Sequence, residues 1–177
     1  MIFVTVGSVD PFDRLIRAMD EWAGSRGRSD VFAQIGRSRY QPRHMEAVQF
    51  LSPSGFRKRI REARLIVAHA GTGSIIAAME AGTPIIIMPK CAHLGEHRND
   101  HQVATAKRFG QKQGIIVAND ETDLIVKLEQ EEAHSAPTVI PQEACADLIS
   151  AVRNFILKTG RTESMEGPSL RSLRTRE

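Results

Sequence analysis

Short apolar runs of strand length alternate along this chain with longer segments whose apolar residues recur at helical spacing. Strands are predicted near residues 2–6, 31–35, 48–51, 65–69, 84–88 and 114–118, and helices near 11–22, 54–63, 74–81, 99–109, 120–131 and 142–157. Such alternation is typical of a parallel sheet with crossover helices. Continuously apolar strands such as 85–87 are expected to be covered on both faces. The predicted fold is α/β, a Rossmann-like parallel sheet with helices on both faces.

The composition predicts one globular domain. The chain has 177 residues, of which 41% are hydrophobic and 25% are charged, enough for a full apolar core. We expect a domain over residues 1–158 and a flexible tail over 159–177, where Gly, Ser, Thr and Arg dominate. No apolar run approaches the roughly 20 residues of a membrane-spanning helix, and the N-terminal run lacks a charged leader. Cys91 and Cys145 have no metal-ligand or disulfide spacing, so a cytoplasmic location is expected.

Positive charge is concentrated in one part of the sequence. Residues 26–64 hold ten Lys and Arg against three acids, a net +7, so the rest of the chain carries −4 of the total of +3. A nucleotide diphosphate, an anionic lipid surface or nucleic acid would each favour clustered cations, and a solvated helix face over 57–64 is an equal alternative. One Trp and one Tyr offer little surface for base stacking, so nucleic acid is not an expected partner.

Two glycine-bearing turns follow predicted strands. In open parallel sheets ligands bind beyond the carboxyl ends of the strands. Gly7 and Ser8 follow the first strand, and the fourth leads into His69-Ala-Gly-Thr-Gly-Ser74 at the start of a helix. Successive amides and a helix N-terminus form an anion cradle, so this turn predicts a diphosphate site. The alternative is a purely structural turn with Ser74 as the N-cap. Dinucleotide and Walker motifs are not matched, because Ile76 replaces the third glycine and no Gly-Lys follows.

The densest polar stretch follows the fifth predicted strand, over residues 90–102. It contains three of the six histidines together with acids and amides, as a hydroxyl-rich ligand such as a sugar requires. His93, His97 and His101 are spaced four apart, so a metal site is the alternative, weakened by Gly95 inside the run. The sequence also has no convincing Asp-x-Asp pair, which favours chemistry without a metal.

Four segments together resemble the C-terminal, donor-binding domain of glycosyltransferase family 28. They are residues 1–7, 67–75, 81–89 and 95–102, and the likeness covers roughly residues 1–157. The resemblance is closer to split members, in which this domain is a separate polypeptide: the catalytic subunit of a two-subunit UDP-N-acetylglucosamine transferase and bacterial exopolysaccharide counterparts. It implies one half of a GT-B glycosyltransferase.

The resemblance also implies roles for particular residues. The donor diphosphate would contact Gly71, Thr72, Gly73 and Ser74 in the turn after the fourth strand. The uracil and ribose would contact Phe50, Leu51 and Glu80, and the donor sugar would contact Glu96, Asp100 and Gln102 in the polar stretch. The first turn, with Gly7 and Ser8, would face the cleft. Relatives often place a ribose-binding glutamate at the position of Ala77, so Glu80, three residues on, is expected either to substitute for it or to be a solvated acid.

The function implied is that of the donor-binding catalytic subunit of a UDP-sugar-dependent, metal-independent, inverting glycosyltransferase. No cofactor is expected. The catalytic residue is left open, with His69 and His97 as candidates. The family usually draws the base that deprotonates the acceptor from its other domain. The expected partner is a membrane-anchored subunit that presents a polyprenyl-diphosphate-linked acceptor and recruits the chain to the inner face of the membrane, while a homo-oligomer remains open. The alternatives are a non-catalytic nucleotide-sugar-binding regulatory module and a sugar-nucleotide epimerase-like protein.

Overall fold

The computed structural model describes residues 1–133, which form one parallel six-stranded sheet with helices on both faces. The strands are β1 (Ile2–Thr5), β2 (Val31–Gln34), β3 (Glu46–Val48), β4 (Leu65–His69), β5 (Ile85–Met88) and β6 (Ile115–Val117). The α-helices are α1 (Asp13–Ser25), α2 (Pro53–Glu62), α3 (Thr72–Ala81), α4 (His101–Phe109) and α5 (Glu121–Ala133), and a short 3-10 helix spans Ala92–Leu94. The predicted Rossmann-like fold is confirmed.

The strand order is β3-β2-β1-β4-β5-β6. The chain therefore starts in the middle of the sheet, builds outward to β3, and crosses back to add β4 beside β1. In register, Thr5 of β1 lies beside Ala68 of β4. The order reverses between these two strands, and the loops that leave them diverge at the carboxyl edge. This reversal gives the sheet a natural crevice for a ligand.

Each face of the sheet carries its own apolar core. On one face α1 and α5 pack through residues such as Leu15 and Leu124, and on the other α2, α3 and α4 pack through residues such as Ile75. Alternate residues of β5 enter opposite cores: Ile86 joins the first, whereas Ile85 and Ile87 join the second. Because side chains alternate along a strand, a strand covered on both faces must be apolar throughout. The prediction made for this strand is confirmed.

Several predicted boundaries were wrong. The third strand was expected over 48–51 but lies at 46–48, because Ser52 ends the extended segment by accepting a hydrogen bond from the Gly55 amide (3.1 Å) as the N-cap of α2. Phe50, part of the predicted strand, is 51% exposed. Helix α3 begins at Thr72 with Gly71 as its N-cap, so the placement of Ser74 as the N-cap was also wrong.

Helices α1 and α4 each begin two residues later than predicted, at Asp13 and His101. The predicted helix over 142–157 and the predicted tail over 159–177 lie outside the described residues, and the domain boundary at 158 stays a prediction. None of the helices within residues 1–133 is long and apolar enough to span a bilayer.

Part of the positively charged segment is used inside the fold. Arg26 is ion-paired with Glu129, and both Arg28 and Arg64 are ion-paired with Glu132. These contacts fasten the last turns of α5 to the segments that follow α1 and α2. The remaining exposed cations lie mainly in the loop between β2 and β3 and on α2: Arg37, Arg39, Arg43, Arg57, Lys58 and Arg61.

Candidate functional site

A cleft of about 500 Å³ opens at the carboxyl edge of the sheet, where the strand order reverses. Its walls come from the ends of β1, β2 and β4, the start of α3, and the loops after β1 and β5. The lining residues are Thr5, Val6, Gly7, Ser8, Val9, Asp10, Gln34, Phe56, His69, Gly71, Gly73, Ser74, Lys90, His97, His101 and Gln102. Two larger surface cavities, of about 730 and 740 Å³, lie along α1 and contain none of the predicted site residues.

The start of α3 presents free backbone donors. The amide of Gly71 donates to the carbonyl of His69 (2.7 Å), and that of Ser74 donates to the carbonyl of Gly71 (3.1 Å). Within residues 1–133 the amides of Thr72 and Gly73 have no hydrogen-bond partner, and both residues are exposed. The first turn of a helix leaves such donors unsatisfied and carries partial positive charge. The corner can therefore bind an anion through two amides.

His69, the last residue of β4, lies against two glycines at the floor of the cleft. Cβ atoms added to Gly7 and Gly71 would lie 2.9 and 2.2 Å from its Nε2 atom. Gly7 has a φ of +78°, a conformation that side chains other than glycine rarely adopt. The imidazole therefore occupies space that these two residues leave open by lacking a side chain.

Burial also fixes the charge of His69. It lowers the pKa of the ring to about 4, and the positive charge of Lys90 acts in the same direction, while the backbone of Thr5 opposes both effects. The Nδ1 atom is buried without a hydrogen bond of good geometry within the described residues. The ring is therefore neutral at pH 7 and has one donor and one acceptor nitrogen.

Lys90 ties the loop after β5 to the loop after β1. Its side chain is almost fully buried, and Nζ donates to the carbonyl oxygens of Val6 (3.1 Å) and Asp10 (2.5 Å). Burial lowers the pKa of this amine to about 8, against the opposing effect of nearby Asp10 and Glu96. The group is thus mostly protonated at neutral pH and brings one positive charge to the cleft wall. Its backbone amide donates to the Oε1 atom of buried Gln102 (3.2 Å).

Asp10 and two histidines form the lip of the cleft. The Nε2 atom of His97 lies 3.5 Å from Oδ2 of Asp10, and the rings of His97 and His101 meet edge to face at 4.4 Å. His93 belongs to the 3-10 helix outside the cleft lining. Within residues 1–133 no three His, Cys, Asp or Glu side chains are grouped to hold a metal ion, so the alternative of a three-histidine site is not supported.

Glu96 and Asp100, both predicted to contact the sugar, are outside the cleft lining and engaged elsewhere. The two carboxylate oxygens of Glu96 bind Arg14 at 2.8 and 2.9 Å, and one of them also accepts from the Cys91 amide. Asp100 accepts from the amide of Ala92 (2.8 Å). Both acids therefore shape the loop after β5, which carries His97 to the cleft.

The three predicted uridine residues also lie beyond the lining. Phe50 is half-exposed, and the amide of Leu51 donates to Oε1 of Gln34 (3.2 Å), whose side chain is in the wall. Glu80 is exposed in the last turn of α3, about 9 Å along the axis from Ser74. Thr72 lies next to the lining residues Gly71 and Gly73.

The structure thus brings together Gly7, Ser8, His69, Gly71, Gly73, Ser74, His97 and Gln102 in one cleft. Sequence reasoning did not single out Thr5, Asp10, Gln34 or Phe56 as site residues. Asp10 had a usable signal, because it lies two residues after the Gly7-Ser8 turn at a strand's carboxyl end. Gln34 had a similar signal at the end of β2, whereas Phe56 is indistinguishable from a core residue of α2 in sequence.

A family model described as the glycosyltransferase family 28 C-terminal domain matches residues 1–156. The chain belongs to this family. The human UDP-N-acetylglucosamine transferase subunit ALG13 is 29% identical over 126 residues, and the Yarrowia lipolytica protein of the same description is 26% identical over 135 residues. These matches span 65% and 68% of this family 28 chain, but only 10% of the human protein and 65% of the yeast protein.

Solved structures agree on the fold. An NMR structure of ALG13 matches with a TM-score of 0.58 at 19% identity, covering 83% of this family 28 chain and 93% of that one. The kitacinnamycin and calicheamicin glycosyltransferases match with TM-scores of 0.53 and 0.52, both at 17% identity, over 90% and 89% of this chain and 40% and 44% of theirs. The domain is therefore a Rossmann-like half of the GT-B type.

Proposed function

We propose that this family 28 domain is the donor-binding catalytic subunit of a UDP-sugar-dependent glycosyltransferase. The observation that carries the proposal is the pair of free amides of Thr72 and Gly73, which lie at the N-terminus of α3 on the edge of a cleft with His69 in its floor. A diphosphate suits this corner because its oxygens accept hydrogen bonds and its charge complements the helix dipole. The similarity to proteins described as UDP-N-acetylglucosamine transferase subunits supports the same donor class.

The proposed chemistry is metal-independent and inverting, with no cofactor. When the sugar leaves UDP, negative charge develops on the departing diphosphate, and preorganised donors stabilise it without reorganisation. The two amides supply donors at the edge of the cleft, and the neutral His69 ring and the buried cation of Lys90 lie in its lining. These groups would stabilise the leaving diphosphate in place of a divalent cation.

The other proposed ligand contacts lie partly in the cleft lining and partly beyond it. We assign Gly7 and Ser8 to the wall facing the donor, and Gln102 to a donor-sugar hydroxyl, since its side chain is in the lining. Phe50 and Leu51 remain the proposed uracil contacts, reached through the backbone beside Gln34. Glu80 remains a proposed ribose contact. Glu96 and Asp100 are proposed to affect sugar binding indirectly, by holding the loop after β5 in place.

We further propose that the acceptor comes from a second polypeptide. A donor-binding half with a cleft open at one edge needs another domain to cover it and exclude water. The relatives are described as subunits, which supports an assembly of two chains. The proposed partner is membrane-anchored, presents a polyprenyl-diphosphate-linked sugar in polysaccharide or glycolipid assembly, and recruits this chain to the inner face of the membrane.

The proposed donor site is tested by titration calorimetry with UDP. Gly73→Asp would place a carboxylate beside the free amides, where a Cβ meets no atom within 4 Å, so the fold is retained while the anion is repelled. We expect UDP affinity to fall at least 30-fold. Ser54→Asp adds the same charge to the exposed first turn of α2, outside the cleft, and is the matched control. Equal UDP affinity in both variants would contradict the proposed site.

Turnover separates a transferase from a non-catalytic binding module, because UDP binding is common to both. Transfer of labelled sugar from a UDP-sugar into the lipid fraction, in the presence of the partner subunit, is expected for the transferase. Binding without transfer would favour the regulatory module.

A further inference from the structure

We infer that Asp10 is the general base that deprotonates the acceptor hydroxyl. This inference rests on the proposed transferase function and deepens it. A glycosyl transfer of this kind needs a group that accepts a proton at neutral pH, has a free lone pair, and lies at the mouth of the donor cleft. Asp10 lies in the loop after β1, lines the cleft, and has a carboxylate that is partly open to solvent.

Asp10 is the one carboxylate in the cleft lining, among the residues that the structure describes. The two other acids close to this edge are already bound. Glu96 accepts from two nitrogens of the Arg14 guanidinium and from a backbone amide, and Asp100 accepts from the amide of Ala92 at the start of the 3-10 helix. Taking a proton at Glu96 would break an ion pair at 2.8 Å that is largely buried.

The cleft histidines are less suited to this task. Burial makes His69 a weak base, and its Nε2 atom points between Gly7 and Gly71 at the floor. In its neutral form His97 has one N–H and one lone pair: Nε2 lies 3.5 Å from Asp10 and Nδ1 accepts from the Asn99 amide at 3.4 Å. Both nitrogens of His97 are therefore occupied in the described conformation.

The same contacts hold Asp10 in place. His97 contacts Oδ2, Lys90 donates to the backbone carbonyl of Asp10, and the Lys90 charge attracts the Asp10 carboxylate. The Oδ1 atom has no hydrogen-bond partner within residues 1–133 and can accept a proton. His97 is accordingly a positioning residue, which keeps one oxygen of the base engaged and the other free.

In the proposed step, the acceptor oxygen forms a bond to the anomeric carbon of the donor while its proton passes to Oδ1 of Asp10. The bond from the anomeric carbon to the diphosphate oxygen breaks, and its electron pair leaves with UDP. Asp10 then releases the proton to water, so the products are the glycoside, UDP and one proton.

The test adds purified protein to membranes of the source cell from which this chain has been deleted, so that the native acceptor side is present. Label is followed from UDP-glucose, UDP-N-acetylglucosamine, UDP-galactose and UDP-glucuronate into the lipid fraction, and UDP affinity is measured separately by calorimetry. Asp10→Asn is expected to lower kcat at least 100-fold, with the apparent KM for the donor and the Kd for UDP within twofold of wild type. His97→Gln is expected to lower kcat about tenfold.

Glu21→Gln removes the same charge from an exposed position of α1 outside the cleft, and is expected to retain full activity. Asp10→Glu keeps a carboxylate and is expected to recover part of the rate. Transfer by Asp10→Asn within threefold of wild type would overturn the inference, as would a loss of UDP affinity as large as the loss of rate. Failure of the wild-type chain to bind UDP contradicts the proposed function instead, so the two failures are distinguishable.

Discussion

A Cβ atom on Gly71 would lie 2.2 Å from Nε2 of His69, a distance that no side chain and ring can share. The glycine is therefore required by the imidazole beside it, in addition to any role in binding an anion. Gly73, two residues on, faces open space. Gly71 is thus required by the packing of His69, whereas Gly73 is not required by any neighbouring side chain. Substitutions at the two positions are therefore expected to have different effects.

Gly71→Ala is expected to lower the free energy of unfolding by about 1–3 kcal/mol, because the His69 ring must move or the backbone must shift. UDP affinity should fall with it, since the free amides follow directly. Gly73→Ala is the matched control, and at a helical position it is expected to be neutral or to stabilise by up to about 1 kcal/mol. Urea unfolding and UDP calorimetry on both variants measure the difference. Equal stability of the two proteins would contradict the steric argument.

In His69→Gln the free energy of unfolding is expected to depend less on pH between about pH 6.5 and pH 4 than it does in the wild type. The folded protein holds the pKa of His69 at about 4, below the usual value of 6.5, so the unfolded chain binds the extra proton first. Stability of the wild type therefore falls as the pH drops from about 6.5 to 4, by up to about 3 kcal/mol from this group. Glutamine cannot titrate and removes this contribution. Urea unfolding of both proteins at pH 7 and pH 4.5 provides the comparison, and parallel losses would show that His69 is not the source.

Arg14→Met is expected to lower the free energy of unfolding by about 2 kcal/mol, because it leaves the largely buried Glu96 without its partner. The double variant with Glu96→Gln should lose less than the sum of the single changes, with a coupling of about 1–3 kcal/mol. Lys58→Met disrupts an exposed ion pair with Glu62 and should cost less than about 0.5 kcal/mol. A double-mutant cycle by urea unfolding measures these terms, and strictly additive losses would be inconsistent with a coupled pair.

Asp20→Asn is expected to loosen the loop between β2 and β3. Asp20 is fully buried and accepts from the hydroxyl of Tyr40 (2.8 Å) and the amides of Arg43 (3.0 Å) and His44 (2.7 Å). Burial alone would raise the pKa of Asp20, but these hydrogen bonds hold the pKa below its usual value. The contribution of Asp20 to the free energy of unfolding is therefore lost as the pH falls through that pKa. The variant should lose about 2 kcal/mol of stability.

Hydrogen exchange of the Arg43 and His44 amides is the direct measurement for Asp20→Asn, and both should exchange faster. Tyr40→Phe, which removes one of the three donors, should lose about 1 kcal/mol and leave these amides protected. Unchanged exchange in Asp20→Asn would mean that the loop is held by other contacts.

Periodicity and glycine placement predicted most of the architecture. The strand-length apolar runs correspond to the buried strands because both faces of a parallel sheet are covered, and the turn at residues 71–74 does open a helix at the carboxyl edge. The third strand was misplaced because a short edge strand has a weak apolar pattern, and because the cap formed by Ser52 overrides the apolar pair Phe50 and Leu51. The end of this edge strand is therefore set by the hydrogen bonding of one residue, Ser52.

The positions of the acids relative to the cleft could not be predicted in this way. Glu96 and Asp10 both follow strands of the sheet, yet only Asp10 lines the cleft. Arg14 lies 82 positions before Glu96 in the chain and turns that carboxylate away through two hydrogen bonds. No local pattern carries information on a contact of this separation.

The order of residues was enough to predict a parallel α/β sheet and a glycine-bearing turn that opens a helix at its carboxyl edge, because these depend on short-range periodicity and on backbone conformations that only certain residues permit. Membership of the transferase family was indicated separately, by the resemblance of four sequence segments. The chemical properties of the cleft were decided by packing in three dimensions. Packing buries His69 and keeps its ring neutral, holds Lys90 between two loops, and leaves Asp10 as the carboxylate in the cleft lining, among the residues that the structure describes. These properties arise from desolvation and from partners distant in sequence, and they exist only once the chain has folded.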